Sequence, residues 1–359
     1  MDFKILTKTS EFRDLENDWK IIEKTSNYTT FFSTFDYCYS WWKSYQNHPS
    51  YKLFIICVYH NKNLIAIAPL MLFKQEKILQ TSTVLKFLSR ADYHNFLINN
   101  TINITTDKIY KKIFLIIEEN NSLWDEILLT HFHYKDPISN YIFKSKFNNH
   151  LNYLIENPFI NTTKFDDYND FYNRCVPSKA KQYANRLKKK INYSLIITND
   201  NLINEFSKIH IAEKEFLNKK GLRHRHSLFE NVENKNFIKL MSDKGHVLSY
   251  YLVDDSHNIM IYNAGYVFEN IYYSVLTAYD PKYANLGLGR VIYLEIFKEN
   301  FLHPRWNVLD SGTGRYSWKF EWTSDFNILY QLQIEKPHNN FMKKMIRKII
   351  KIKKILFSK

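Results

Sequence analysis

Two short glycine clusters place residue types and spacings that could do chemistry: Gly287-Leu288-Gly289 followed by Arg290, and Gly312-Thr313-Gly314 preceded by Asp310. The chain holds 7 glycines in 359 residues, none before Gly221, where average usage gives about 25. Glycine kept against such a background marks backbone that needs positive φ, or a place where a Cβ would block a ligand. Each cluster follows a strand-like run and precedes a helix-like one, the position at which α/β proteins bind ligands. At a helix start, successive N–H groups converge on an anion and the helix dipole adds partial positive charge. Arg290 would add a charged contact there. The alternative is that Gly287 and Gly289 merely turn the chain. A dinucleotide fingerprint is absent, because Ile292 stands where GxGxxG needs a third small residue, and no GK[ST] follows a glycine-rich loop.

These clusters need elements to position them. Hydrophobic periodicity predicts helices over 12–24, 34–46, 107–119 and 139–149, with strands over 51–59, 64–73, 84–89, 94–98, 124–130 and 151–156. After Pro158 the pattern starts again. Helices are expected over 178–191, 202–219, 227–243, 289–301 and 316–322, and strands over 246–253, 259–268, 271–279, 306–311 and 326–335. The helix–strand–turn–strand order of the first half recurs about 195 positions later, which predicts two copies of one fold. The expected class is α/β: tandem mixed sheets flanked by helices. The expected units are an N-terminal domain over 1–157, a C-terminal domain over 158–336 and a basic tail over 337–359.

Composition narrows the function classes. Hydrophobic content of 45%, with 17% aromatics, excludes general disorder. Cys38, Cys57 and Cys175 form no CxxC pair and are odd in number, which predicts reduced thiols in a cytoplasmic protein. No apolar run reaches the ~18 residues of a spanning helix, and the N-terminus lacks an apolar signal core. The net charge of +14 is uneven: residues 341–359 hold eight Lys/Arg and no acid, and Lys179–Lys190 holds six. His131-x-His133 and His224-x-His226 lack further ligands at zinc-like spacing, so no metal is expected. No GxSxG elbow is present. The aromatics fall on core faces without an RNA-binding signature, so no specific nucleic acid is expected.

The run from Asp310 to Trp322, DSGTGRYSWKFEW, resembles the CelD-like acyltransferases of the GNAT (N-acetyltransferase) superfamily. Their signature, Asp-x-Gly-x-Gly-x-x-x-Tyr-Lys-x-x-Trp, is matched at Asp310, Gly312, Gly314, Lys319 and Trp322, with Trp318 in the Tyr place. FFSTFDYCYSWW, NLIAIAPLML and SKAKQYANRLKKKI add to the resemblance, which covers roughly residues 30–325. It implies an acyl-CoA donor, acetyl-CoA foremost, with Leu276, Thr277, Ala278 and Tyr279 beside the thioester arm and Gly287, Leu288, Gly289 and Arg290 at the pyrophosphate. Ala284 departs from the superfamily pattern, which has Gln or Arg there, and one phosphate contact is thereby lost.

Attack on a thioester needs an oxyanion donor and an acid for the leaving thiolate. A strand N–H around Ala278 is the candidate donor and Tyr316 the candidate acid. Asp310 is either a base or substrate anchor, or the cap of the Gly312–Gly314 turn. Lys319 would bind an anionic group or form a surface ion pair. The implied acceptor is an amino group on a nucleotide- or lipid-linked sugar used in surface-polysaccharide synthesis. The basic helix would suit its phosphates, and the glycine-free first half would help shape the acceptor site. Two rivals stand: a Fem-type transferase using aminoacyl-tRNA, and a non-catalytic basic membrane- or nucleic-acid-binding module with a decayed donor site. In residues 341–359, aliphatics at 3–4 spacing oppose a lysine face, predicting contact with an anionic membrane on its cytoplasmic side.

Overall fold

The computed structural model describes residues 1–77, 80–221 and 226–336, so the tail over 337–359 and His224 lie outside the described residues. The fold is mixed α/β, with large sheets flanked by helices. A four-stranded sheet runs in the order Asp2–Leu6, Ile55–His60, Asn63–Ala68, Leu97–Ile98. The other sheet has 11 strands. Its order is Tyr193–Thr198, Val247–Asp254, Ile259–Phe268, Ile271–Tyr279, Val308–Asp310, Leu151–Asn161, Phe326–Glu335, Glu126–His133, Gln80–Phe87, Leu70–Lys77 and Tyr51–Leu53.

The two halves exchange strands. Leu151–Asn161 pairs through Phe159–Asn161 with the second half's Val308–Asp310. Phe326–Glu335, from the end of the second half, pairs with Glu126–His133 of the first. The exchanged strands also pair with each other, Phe326 opposite Pro158 and Leu332 opposite Leu151. The strand thus runs straight through Pro158. Proline has no N–H to give a ladder. Here it stands where the strand changes partner, and its carbonyl accepts from Ser311 N–H at 3.0 Å.

Expected strand 51–59 divides at Phe54, and expected strand 64–73 divides at Pro69, so one long hairpin serves both sheets. Its turn holds Asn61 and Lys62 at φ 49° and 66°, and the hairpin at Glu269-Asn270 repeats this with 46° and 65°. Two successive left-handed residues match the twist of paired strands. The helix Leu288–Leu302 is apolar nearly all round, because the sheet covers one side and the helix Ser178–Lys190 the other. An aromatic core joins the halves, with Phe31 stacked on Tyr266 at 4.4 Å.

Candidate functional site

The strand Ile271–Tyr279 and the strand Val308–Asp310 pair in parallel only at Ile271–Val308, Tyr272–Leu309 and Tyr273–Asp310. Beyond Tyr273 they part, and strand 271–279 keeps only its other neighbour, Ile259–Phe268. A bulge at Val275 interrupts that pairing between Ser274 and Leu276. Backbone groups alternate sides along a strand. Asp280 N–H donates to Met260 O at 2.9 Å, which by that alternation turns the N–H of Ala278 toward Tyr262 and those of Thr277 and Tyr279 toward the opening. Around Ala278, where a donor is expected, the N–H that faces the opening is thus that of Thr277. Tyr279 N–H is directed at Glu213 Oε1, 3.4 Å away.

A cleft of about 600 Å³ opens there, bounded by Thr277, Tyr279, Ala284, Gly287, Leu288, Gly289, Arg290, Tyr293 and Trp318. Gly287 sits at φ 68°, ending the turn Pro281–Leu286 and starting the helix Leu288–Leu302. A Cβ on it would meet the Tyr183 ring at 2.4 Å. Around Gly289 nothing lies within 4 Å of an added Cβ. Gly287 thus serves the chain, while the space at Gly289 is free for a ligand. The N–H groups of Arg290 and Val291 are taken by Gly287 O at 3.0 and 3.4 Å, and a helix start leaves those of Leu288 and Gly289 for an anion.

Arg290 lines this cleft, but Glu321 holds its guanidinium in a two-pronged pair, Nε–Oε2 3.0 Å and Nη2–Oε1 2.9 Å. The basic helix Ser178–Lys190 packs beside the same loop, with Arg186 over the Tyr183 ring at 5.5 Å. Buried Glu213, paired with Lys214, forms the opposite wall.

At the parting of the strands stands Tyr293, a residue the sequence reading missed. Its hydroxyl interacts with Ser274 and Ser311, the first residues past the last paired positions, and burial pushes its pKa up. Asn263 braces the same spot from below, donating to Ser274 Oγ at 2.7 Å and Thr277 Oγ1 at 2.6 Å. Tyr316 is 41% exposed and does not line the cleft; its ring packs where a Cβ on Gly314 would fall.

Asp310 is buried at the sheet's centre. Its Oδ2 accepts from Tyr93 Oη at 2.6 Å and Asn157 Nδ2 at 3.4 Å, and its Oδ1 from Gly312 N–H at 2.9 Å. Burial raises its pKa to about 6 against these donors. That arrangement caps the glycine turn. Lys319 forms no surface ion pair: it is buried, and Nζ donates to the carbonyls of Gly312 at 2.7 Å and Thr313 at 3.1 Å. Burial lowers its pKa to about 8.

On the far side of the strand a cavity of about 320 Å³ lies between the halves, bounded by Leu276, Val275, Thr313 and Tyr266 and by Trp41, Arg90, Asp92 and His131 of the first half. Asp92 Oδ1 accepts from Thr313 Oγ1 at 2.7 Å. Of these first-half residues Arg90 and Asp92 carry no local motif; Trp41 lies in FFSTFDYCYSWW and His131 in the His131-x-His133 pair. Among the described residues no group of three or more His, Cys, Asp or Glu could hold a metal ion, and no helix is long and apolar enough to cross a membrane.

Residues 179–320 match the family described as acetyltransferase (GNAT) domain. No curated protein matches the chain. The crystal structure of FemX is similar, with TM-score 0.59 and 8% identity over 92% of this chain and 97% of that one. So is L-PGS from Bacillus licheniformis, with TM-score 0.52 and 11% identity over 81% and 87%. A tandem GNAT protein from the clavulanic acid biosynthesis pathway aligns over 94% and 100%, with TM-score 0.50 and 10% identity. The fold is that of tandem GNAT proteins, and the second half carries a GNAT-type acetyltransferase domain. The chain is accordingly a transferase of the acyl-transferring kind.

Proposed function

We propose that the chain transfers an acyl group from acyl-CoA to an amino group of a nucleotide- or lipid-linked sugar precursor of a surface polysaccharide. The observation that carries the donor half is the opening between strands 271–279 and 308–310, continuous with a helix start where Gly289 leaves ligand space. The residues fit the donor. Leu288 and Gly289 N–H groups would hold its pyrophosphate, and Thr277 N–H would face its carbonyl. Acyl-CoA supplies a thioester carbonyl open to attack by an amine. Tyr293, at the point where the strands part, would hold a proton for the departing sulfur. Arg186 and the lysines of helix 178–190 add positive charge near the phosphates. Family resemblance supports the sugar acceptor, and residues 341–359 would hold the enzyme at an anionic cytoplasmic membrane face.

Calorimetric titration of the full chain with acetyl-CoA tests the donor, with saturable binding expected. The Fem-type reading is kept because the likeness to FemX extends over both halves. It requires aminoacyl-tRNA to bind and its affinity to fall steeply with salt. A tight tRNA complex tracking aminoacylation, with no acetyl-CoA binding, would reverse the assignment.

A further inference from the structure

The cavity between the halves coincides with a second parting of strands. Gln80–Phe87 and Glu126–His133 pair in parallel only at Val84–Glu126 and Leu85–Ile127, and the chain then diverges through Lys86–Asp92. This is the first half's counterpart of the opening at Ser274, and it contains no glycine. Two non-glycine residues there adopt left-handed backbone, Ser89 at φ 84° and His131 at φ 66°. Such conformations are strained for residues with a Cβ and persist where surrounding structure enforces them. His131 is the extra residue of a bulge, since Thr130 and Phe132 pair with the adjacent Gln331 and Tyr330. A bulge re-aims a side chain. The His131 ring borders the cavity that Leu276 and Thr313 bound from the donor side.

The charges around it are unequal. Lys86, Arg90 and His131 border the adjoining part of the cavity. Asp92 is the acid beside them, and its Oδ1 is occupied by Thr313. No carboxylate pairs with Arg90 among the described residues, and its side chain is exposed. His131 Nδ1 lies 2.9 Å from Thr130 Oγ1, which leaves Nε2 for a ligand. Burial lowers its pKa, so the ring is a neutral proton acceptor.

We infer that this cavity is the acceptor site, taking an amine that carries a phosphate, with Arg90 on the phosphate and His131 Nε2 receiving the proton of the attacking nitrogen. The inference rests on the acyl-transfer reading and assigns its acceptor half to the first half of the chain. In the step, the acceptor nitrogen bonds to the acyl carbon while the carbon–sulfur bond breaks. The nitrogen's proton passes to His131, and CoA leaves as a thiolate that is then protonated. Trp41 in the cavity wall gives a fluorescence signal for occupancy.

Glucosamine-1-phosphate serves as the probe, with glucosamine as its phosphate-free control, on the full chain. Saturable quenching by the phosphosugar is expected, with glucosamine weaker. Arg90→Gln should weaken the phosphosugar about tenfold or more while leaving acetyl-CoA affinity unchanged. His131→Asn keeps a residue that tolerates left-handed backbone. It should preserve both affinities and lower thiol release from acetyl-CoA about 100-fold. No phosphosugar binding to the unaltered chain, unchanged affinity in Arg90→Gln, or full turnover in His131→Asn would each overturn the inference. Failure of acetyl-CoA to bind counts against the donor reading alone, because phosphosugar binding and its loss are measured without donor.

Discussion

Gly289→Val separates a ligand's need for space from the protein's own. A Cβ at Gly289 meets nothing within 4 Å, and the residue lies in the first turn of the helix Leu288–Leu302. Glycine is about 1 kcal/mol worse than alanine in a helix and valine a few tenths better than glycine, so the melting temperature should move by no more than about 2 °C. The donor loses far more. Two methyl groups would fill the space over the N–H groups of Leu288 and Gly289. Each charge-assisted hydrogen bond is worth about 1.5–3 kcal/mol, so losing both costs about 3–6 kcal/mol. That corresponds to roughly 10²–10⁴ in affinity. Titration calorimetry with acetyl-CoA, beside a thermal melt, reads both numbers. Gly287→Ala is the contrast: at φ 68° and facing the Tyr183 ring at 2.4 Å, it should lower the melting temperature clearly. A Gly289→Val chain that melts normally and binds acetyl-CoA as tightly as the parent would refute the anion site.

Three other outcomes are expected. Asp310→Ala strands the donors Tyr93, Asn157 and Gly312 N–H in the core, and should cost about 3–5 kcal/mol in urea unfolding; a loss of turnover at unchanged stability would instead mark Asp310 as a base. Glu321→Ala frees the Arg290 guanidinium, and acetyl-CoA affinity should rise a few-fold at low salt, whereas no change would make Arg290 a brace. His94 is stacked on Phe87 at 4.8 Å, and burial lowers its pKa from 6.5 to about 3. The unfolded chain therefore binds the extra proton first: stability from this group is complete above pH 6.5 and is lost as pH falls toward 3. Relative to His94→Gln, the parent should lose about 2 kcal/mol between pH 7 and 5. Comparing the two chains cancels Asp136 and Asp310, whose raised pKa values act in the opposite direction. A pH-independent difference would show that His94 is not buried neutral.

What the sequence made legible was local. The strands 259–268 and 271–279, their two-residue turn and the glycine-started helix all follow from neighbours in the chain, and the structure has them within a residue or so. Pro158 read as a stop because a proline lacks an N–H. Only the pairing with residues more than 140 positions away shows why it fits inside a strand. Lys319 read as an anion-binding residue or a surface ion pair because nothing nearby in sequence announces that Gly312 and Thr313 turn their carbonyls onto it. Arg90 and Asp92 had no spacing that could reveal them, and the His131-x-His133 spacing pointed only to a metal test. The three come together through topology and a bulge.

That topology also explains how a half without a single glycine remains part of one site. The turn after Asp310 is not held by the second half alone. Tyr93 donates to Asp310, Asp92 accepts from Thr313, and Asn327, on the strand given to the first half, donates to Tyr93 at 2.9 Å. The exchange of strands 151–161 and 326–335 fixes these contacts in register, because a slip of one residue would turn every side chain to the other face. The first half is therefore tied to the second by these hydrogen bonds and by strand pairing. Its Arg90, Asp92 and His131 share one cavity with Leu276 and Thr313 of the second half.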